Sequence, residues 1–165
     1  MKKVLIADDR YVVRIGTALL LESKINHPCS IDFAENYAET REKVSKENYD
    51  LLILDIDMAD SIYKAMVKEL KKEHRDLKIM IFSNYDENVG IQYIEEGAEG
   101  YLNKRASESE ILKGMNAMLE EGYYYPSKMV SRLITHSRDN NTVEHLSKGS
   151  FRYLNCWPRE TEILK

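Results

Sequence analysis

The sequence is poor in the residues that punctuate or staple a chain: two cysteines, three prolines, seven glycines and one tryptophan among 165 residues. Cys29 and Cys156 lie far apart with no CxxC spacing, which speaks against a disulfide framework or zinc ribbon and reads as a pair of reduced thiols. The scattered glycines build no phosphate-cradling loop, since neither GxGxxG nor GxxxxGK followed by Ser or Thr occurs. His27, His74, His136 and His145 show no metal-ligand spacing. No apolar run is long enough to span a bilayer, and the opening Met-Lys-Lys runs straight into a strand pattern rather than a signal peptide. A cytoplasmic location without a membrane partner is therefore expected. Positive charge is not in excess either: the net charge of −4 argues against this chain binding nucleic acid in its own right. There is no internal repeat and no low-complexity tract. What remains, 43% apolar and 32% charged, suits one compact soluble domain with a tail.

What is present is an alternation of short apolar runs and amphipathic stretches. Residues 3–7, 31–34, 49–55, 78–83 and 100–103 read as five strands. Between them, Val12, Ile15, Gly16, Leu19 and Leu20 recur at helical spacing until Asn26-His27-Pro28 breaks the pattern. Residues 36–48 form a polar, solvated helix, and Ile62, Met66, Val67 and Leu70 mark the apolar face of a third. A short helix over 89–96 is closed by Gly97. Another over 107–121 opens on a Ser107/Glu110 capping box and turns Ile111, Met115, Met118 and Leu119 inward. These stripes are core by default. Five βα units with short connections imply an α/β fold, a doubly wound parallel sheet with helices on both faces.

The first domain is expected to span residues 1–122. Residues 123–153 read as a linker carrying a short helix over 127–135, with a polar Asn-, Ser- and Lys-rich stretch over 136–149. Residues 154–165 end in Pro158-Arg159-Glu160-Thr161-Glu162-Ile163-Leu164, a helix start with proline at its first position. Either a second domain begins there or the tail is vestigial.

Chemistry is expected where the strands end. A doubly wound sheet puts the carboxyl ends of all its strands on one edge, and ligands bind just beyond them. The first strand ends in Asp8 and Asp9, the third in Asp55, the fourth in Ser83, and the fifth leads to Lys104. Taken singly, these are ordinary residues: a solvated Asp pair, a helix cap, a turn serine, a surface lysine. Taken together, they put three carboxylates, a hydroxyl and an ammonium on one edge. Clustered carboxylates repel, and a hard cation such as Mg2+ relieves this through oxygen ligands. Lys104 supplies a point charge for a phosphate oxygen and Ser83 a hydrogen-bond donor. The set reads as an acyl-phosphate site with Asp55 as the nucleophile.

These residues resemble the receiver domain of a two-component response regulator. The resemblance runs from about Lys3 to Glu121, through Leu5-Ile6-Ala7-Asp8-Asp9, Tyr49-Asp50-Leu51-Leu52-Ile53-Leu54-Asp55, residues 79–83, and Gly97-Ala98-Glu99-Gly100-Tyr101-Leu102-Asn103-Lys104. It implies the strand order 2-1-3-4-5. It also implies that Asp55 is phosphorylated by a sensor histidine kinase. Asp9 would ligate Mg2+ directly, Asp8 through water, and Asp57 through its backbone carbonyl. Ser83 and Tyr101 would form a switch pair, Lys104 would pair with phosphate, and the face of helix 4, strand 5 and helix 5 would transmit the change, often by homodimerisation. Asp8-Asp9-Arg10-Tyr11-Val12-Val13-Arg14-Ile15-Gly16 and Glu96-Gly97-Ala98-Glu99-Gly100-Tyr101-Leu102 are similar to the NarL/FixJ subfamily. The C-terminal Pro158–Leu164 run resembles the opening of its LuxR-type helix-turn-helix domain. The recognition helix is absent from the chain, so base reading is not expected of it.

The sequence also departs from the family. Arg10 stands where His is common, Arg105 follows the lysine where Asp or Pro is common, and Trp157 holds a helix-capping place usually given to Ser or Thr. The loop Met58-Ala59-Asp60-Ser61-Ile62 has neither the usual Pro nor Gly.

Two rival readings follow from the same residues. Asp55-Ile56-Asp57 and Phe82-Ser83-Asn84 resemble motifs of haloacid-dehalogenase-type phosphatases, with Asp57 as general acid, but the leading Asp8-Asp9 and the lack of a cap speak against that order. A receiver-like module that dimerises without phosphorylation would not need the full set of acids, Ser83 and Lys104.

Overall fold

A computed structural model describes residues 1–58 and 63–139. Five strands, β1 (Lys2–Ala7), β2 (Cys29–Ala34), β3 (Leu51–Leu54), β4 (Lys78–Ser83) and β5 (Gly100–Asn103), form one parallel sheet in the order β2-β1-β3-β4-β5. Six helices accompany it: α1 (Tyr11–Lys24), α2 (Tyr37–Lys46), α3 (Tyr63–Glu73), α4 (Glu87–Glu95), α5 (Glu108–Glu120) and α6 (Ser127–Asp139).

Residues 4–7 of β1, 51–54 of β3 and 79–82 of β4 read as unbroken apolar runs because both sheet faces are covered there, whereas the edge strand β2 is only half-buried. Within each strand, neighbours alternate between two cores. Leu5, Leu52, Leu54, Ile79, Ile81 and Tyr101 pack with α2, α3, α4 and α6. Val4, Ile6, Leu51, Ile53, Met80 and Phe82 pack with α1 and α5 on the other face. All four residues of β3 are essentially without solvent contact. Burying side chains of that size contributes roughly 1.5–3 kcal/mol each, so the central strand is firmly placed up to the carboxylate that follows it.

Helix ends follow local chemistry. Asn36, Asp86 and Ser107 cap α2, α4 and α5 by accepting backbone N–H bonds in their first turns. Beyond α4, Gly97 takes φ +114°, a conformation that favours glycine.

The buried face of α1 differs from the expected one. Val12 and Leu19 are exposed, as is Gly16, while Arg14, Thr17, Ala18 and Leu21 are buried. Small Thr17 and Ala18 let the helix lie close to the sheet. Arg14 is admitted because its guanidinium donates to the Asp8 carbonyl (2.7 Å) and to Glu35. On α5, by contrast, the expected Ile111, Met115, Met118 and Leu119 are all buried, together with Gly114.

Helix α6 runs four residues past the expected end, into the stretch read as linker. It lies on α4, where Met129 is fully buried and Arg132 donates to Asn88 Oδ1 at 2.8 Å. A methyl group added at Gly90 would strike both the Tyr101 ring and the Met129 side chain, so these two meet over a glycine. Residues 59–62 and the helix-turn-helix-like tail, with Cys156 and Trp157, lie outside the described residues.

Candidate phosphoacceptor site

The carboxyl edge of the sheet is aligned by backbone bonds that continue the ladder one step past the strands. Asp8 N–H donates to the Ala34 carbonyl (3.1 Å), Asp55 N–H to Ala7 (2.8 Å) and Lys104 N–H to Ser83 (2.8 Å). Each chemical residue is thereby fixed by the last residue of the neighbouring strand.

Asp55 and Asp8 are almost fully buried, at 1% and 2% exposure. Burying carboxylates is costly unless they are paired, and here the pairing is explicit. Lys104 reaches across from β5, its side chain 7% exposed, and binds Asp55 Oδ2 at 2.8 Å and Asp8 Oδ2 as well. Its ammonium also lies 5.7 Å from the centre of the Phe82 ring. The other Asp55 oxygen, Oδ1, accepts the Asp57 backbone N–H at 3.2 Å, so the chain curls back over the carboxylate after β3.

Asp8, Asp9 and Asp55 each offer an oxygen within 4.8 Å of the others. An all-oxygen, all-carboxylate donor set suits a hard cation such as Mg2+ rather than zinc or copper. Asp9 is the solvent-facing member, its side chain 43% exposed.

The remaining expected residues join through a residue that sequence reasoning passed over. Ser83 is fully buried, and its Oγ accepts the Tyr85 backbone N–H at 3.2 Å. Tyr101 lies inward with no exposure and donates its hydroxyl to the Tyr85 carbonyl, which also accepts from Asn103 Nδ2 at 2.7 Å. The Tyr85 hydroxyl in turn donates to Asp57 Oδ1 at 3.1 Å. Burial pushes the Tyr101 hydroxyl up to about 12, so it stays protonated and able to donate at neutral pH. Tyr85 thus ties the loop after β3 to the loop after β4. Its only sequence signal is its place two residues beyond Ser83.

Residues 4–116 match the family described as the response regulator receiver domain. The chain belongs to that family.

Among curated relatives, the oxygen regulatory protein NreC of Staphylococcus carnosus is 28% identical over 165 residues, covering 98% of this chain and 75% of NreC. The transcriptional regulatory protein YdfI of Bacillus subtilis is 32% identical over 134 residues, covering 81% of this chain and 62% of YdfI. Among solved structures, the isolated receiver domain of RcsB from Salmonella enterica serovar Typhimurium superposes with a TM-score of 0.66 at 23% identity, over 80% of this chain and 97% of that one. A LuxR-family two-component response regulator from Aurantimonas sp. gives 0.70 at 20% identity, over 82% and 96%. These structures share the fold. Receiver domains belong to signalling proteins rather than classical enzymes, and their partners are histidine kinases.

One group in this receiver's acidic cluster has no counterpart in the expected site. Arg10 follows the Asp pair and turns back into it. Its Nη2 donates to Asp55 Oδ2 at 2.9 Å, its Nε donates to Asp8 Oδ1 at 3.3 Å, and the same Nε lies 3.9 Å from Asp9. Burial alone would lower the Arg10 pKa, but the bond to Asp55 and the charges of Asp8 and Asp55 outweigh it and hold it above its ordinary value.

A cleft of about 800 Å3, lined by residues such as Lys2, Tyr49, Asp50, His74, Leu77 and Glu120, lies at the opposite edge of the sheet and includes none of these residues. None of the described helices is long and apolar enough to cross a membrane.

Proposed function

We propose that this chain is the phosphoacceptor module of a two-component response regulator, a cytoplasmic protein that takes a phosphoryl group from a sensor histidine kinase on Asp55. The observation that carries this reading is the Asp55 carboxylate, 1% exposed at the end of the central strand and clamped by the Lys104 ammonium at 2.8 Å. One oxygen of Asp55 attacks phosphorus. The new O–P bond forms as the N–P bond of the kinase phosphohistidine breaks, and the imidazole nitrogen leaves with that electron pair. Such a transfer needs positioning and charge neutralisation more than covalent assistance from the protein.

Lys104 pairs with an oxygen of the transferred group. Asp8, Asp9 and Asp55, with the backbone carbonyl of Asp57, would hold Mg2+, which when bound would supply positive charge to phosphoryl oxygens that the carboxylates otherwise repel. Ser83 gives up the Tyr85 N–H and turns its hydroxyl to the phosphoryl group, and Tyr101, bonded to the same residue's carbonyl, is the aromatic partner of the switch. The α4–β5–α5 face then passes the change on, through α6 and by homodimerisation. The output is a DNA-binding, transcription-regulating domain of the LuxR type that begins near residue 154.

Intact mass spectrometry tests the reading. With Mg2+ and a small acyl-phosphate donor, the protein gains one phosphoryl group, about 80 Da. The gain disappears in Asp55→Asn. No gain, or a gain that survives the substitution, sinks the proposal.

A further inference from the structure

The acidic cluster carries more negative charge than Lys104 can balance. Three carboxylates against one ammonium leave two negative charges, the charge of one divalent cation. Arg10 supplies one positive charge to that deficit from within the chain and touches all three acids, at 2.9 Å to Asp55, 3.3 Å to Asp8 and 3.9 Å to Asp9. It reaches the same Asp55 oxygen that Lys104 holds. Unlike Lys104, it stands at the mouth of the cluster, with its side chain 42% exposed, so it has an open path to solvent.

We propose that Arg10 is a built-in competitor for the divalent cation of this site: its guanidinium caps the carboxylates when no metal is bound and must swing out for a metal to enter. The proposal rests on the reading of Asp8, Asp9 and Asp55 as metal ligands.

A guanidinium hydrogen-bonded to Asp55 and Asp8 uses the carboxylate oxygens that a cation would take. Its positive charge would also repel an arriving cation at contact distance. The two occupants are therefore coupled negatively. Such couplings typically span about 5–150-fold in affinity. Arg10 also shields the clustered acids from one another, so the metal-free protein need not bear their full repulsion. Metal binding in this chain becomes an exchange of one cation for another rather than a filling of bare charge. Weaker apparent affinity follows, so every step that needs the metal half-saturates at a higher cation concentration than it would without Arg10.

The test measures Mn2+ binding directly, by the electron paramagnetic resonance signal of the free ion, on the full chain without any phosphodonor. Arg10→Ala and Arg10→Gln, which retains much of the side chain's length without its charge, are expected to bind Mn2+ about tenfold more tightly than the wild type. Arg10→Lys, which keeps the charge, should stay near wild type. The same order is expected in the rise of Tm on adding Mg2+, largest in the two neutral variants. Equal Mn2+ affinity in wild type and both neutral variants overturns the role of Arg10 and leaves the metal site standing. No Mn2+ binding in any of them overturns the metal reading of the site and this proposal with it.

Discussion

Lys71 and Lys104 are both withdrawn from solvent and both clamp carboxylates, at opposite edges of the same sheet. Lys71, 17% exposed, binds Glu99, 12% exposed, at 2.5 Å. Its other donors reach the Leu77 and Arg75 carbonyls at 2.7 and 3.1 Å, and the second Glu99 oxygen accepts the Ile79 backbone N–H at 2.9 Å. Three donors thus meet three acceptors, and one ammonium meets one carboxylate in direct contact, with Lys78 farther out at 3.8 Å. Lys104 faces a different balance: two buried acids in direct contact, a third at the solvent edge, and an arginine drawn in from the loop before α1. A pair whose direct bonds are all met within itself and the adjoining backbone holds the loops around α3 and β4 together. An acid-rich, open cluster keeps capacity for another cation and for an anion that comes with it. Burial of a lysine against a carboxylate therefore does not mark a site; the uncompensated charge beside it does.

Substitutions can break this contrast. The largest effect is expected from Lys104→Met. Removing the cation that meets the phosphoryl oxygens should slow phosphorylation by an acyl-phosphate donor roughly a hundredfold or more, read as the initial rate of mass gain per folded molecule. Lys71→Met should do the reverse. It leaves Glu99 buried without its partner and should cost about 3–5 kcal/mol of stability in urea unfolding, while the folded fraction is phosphorylated at the wild-type rate. If Lys71→Met slowed phosphorylation as much as Lys104→Met does, the division between structural and chemical pairs would be wrong. The smallest effect is expected from Lys78→Gln. Its ammonium lies 3.8 Å from Glu99 and is 34% exposed, and such outer partners contribute about 0–1 kcal/mol. A loss as large as that of Lys71→Met would mean that the Glu99 pair had been apportioned to the wrong lysine.

Much of this site was legible in the sequence because apolar runs ended abruptly in polar residues. Asp8, Asp55, Ser83 and Lys104 all lie at or just past strand ends, and β4 and β5 have the limits their patterns imply. What hydrophobic spacing hid were the polar residues that fold inward. Arg14 and Thr17 are buried on α1 where the apolar pattern pointed to Val12 and Leu19. Apolar periodicity cannot register a guanidinium whose bonds are met by a carbonyl and a glutamate. Arg10 was visible only as a departure from the family, because its contact with Asp55 joins residues 45 positions apart through loop geometry. Tyr85 escaped for the same reason: its carbonyl and hydroxyl act through two other segments, β5 and the loop after β3, and no local pattern announces that. Residues 59–62 and the expected start of a second domain near residue 154 lie outside the described residues.

The central claim is that Asp55, alone among the acids at this edge, accepts the phosphoryl group. Borohydride reduction of the phosphorylated protein converts an aspartyl phosphate to homoserine, and peptide mass mapping then locates it. Homoserine at position 55, and at no other position, is the predicted result. Homoserine at position 8, 9 or 57, or none after a measured gain of phosphate, would contradict it.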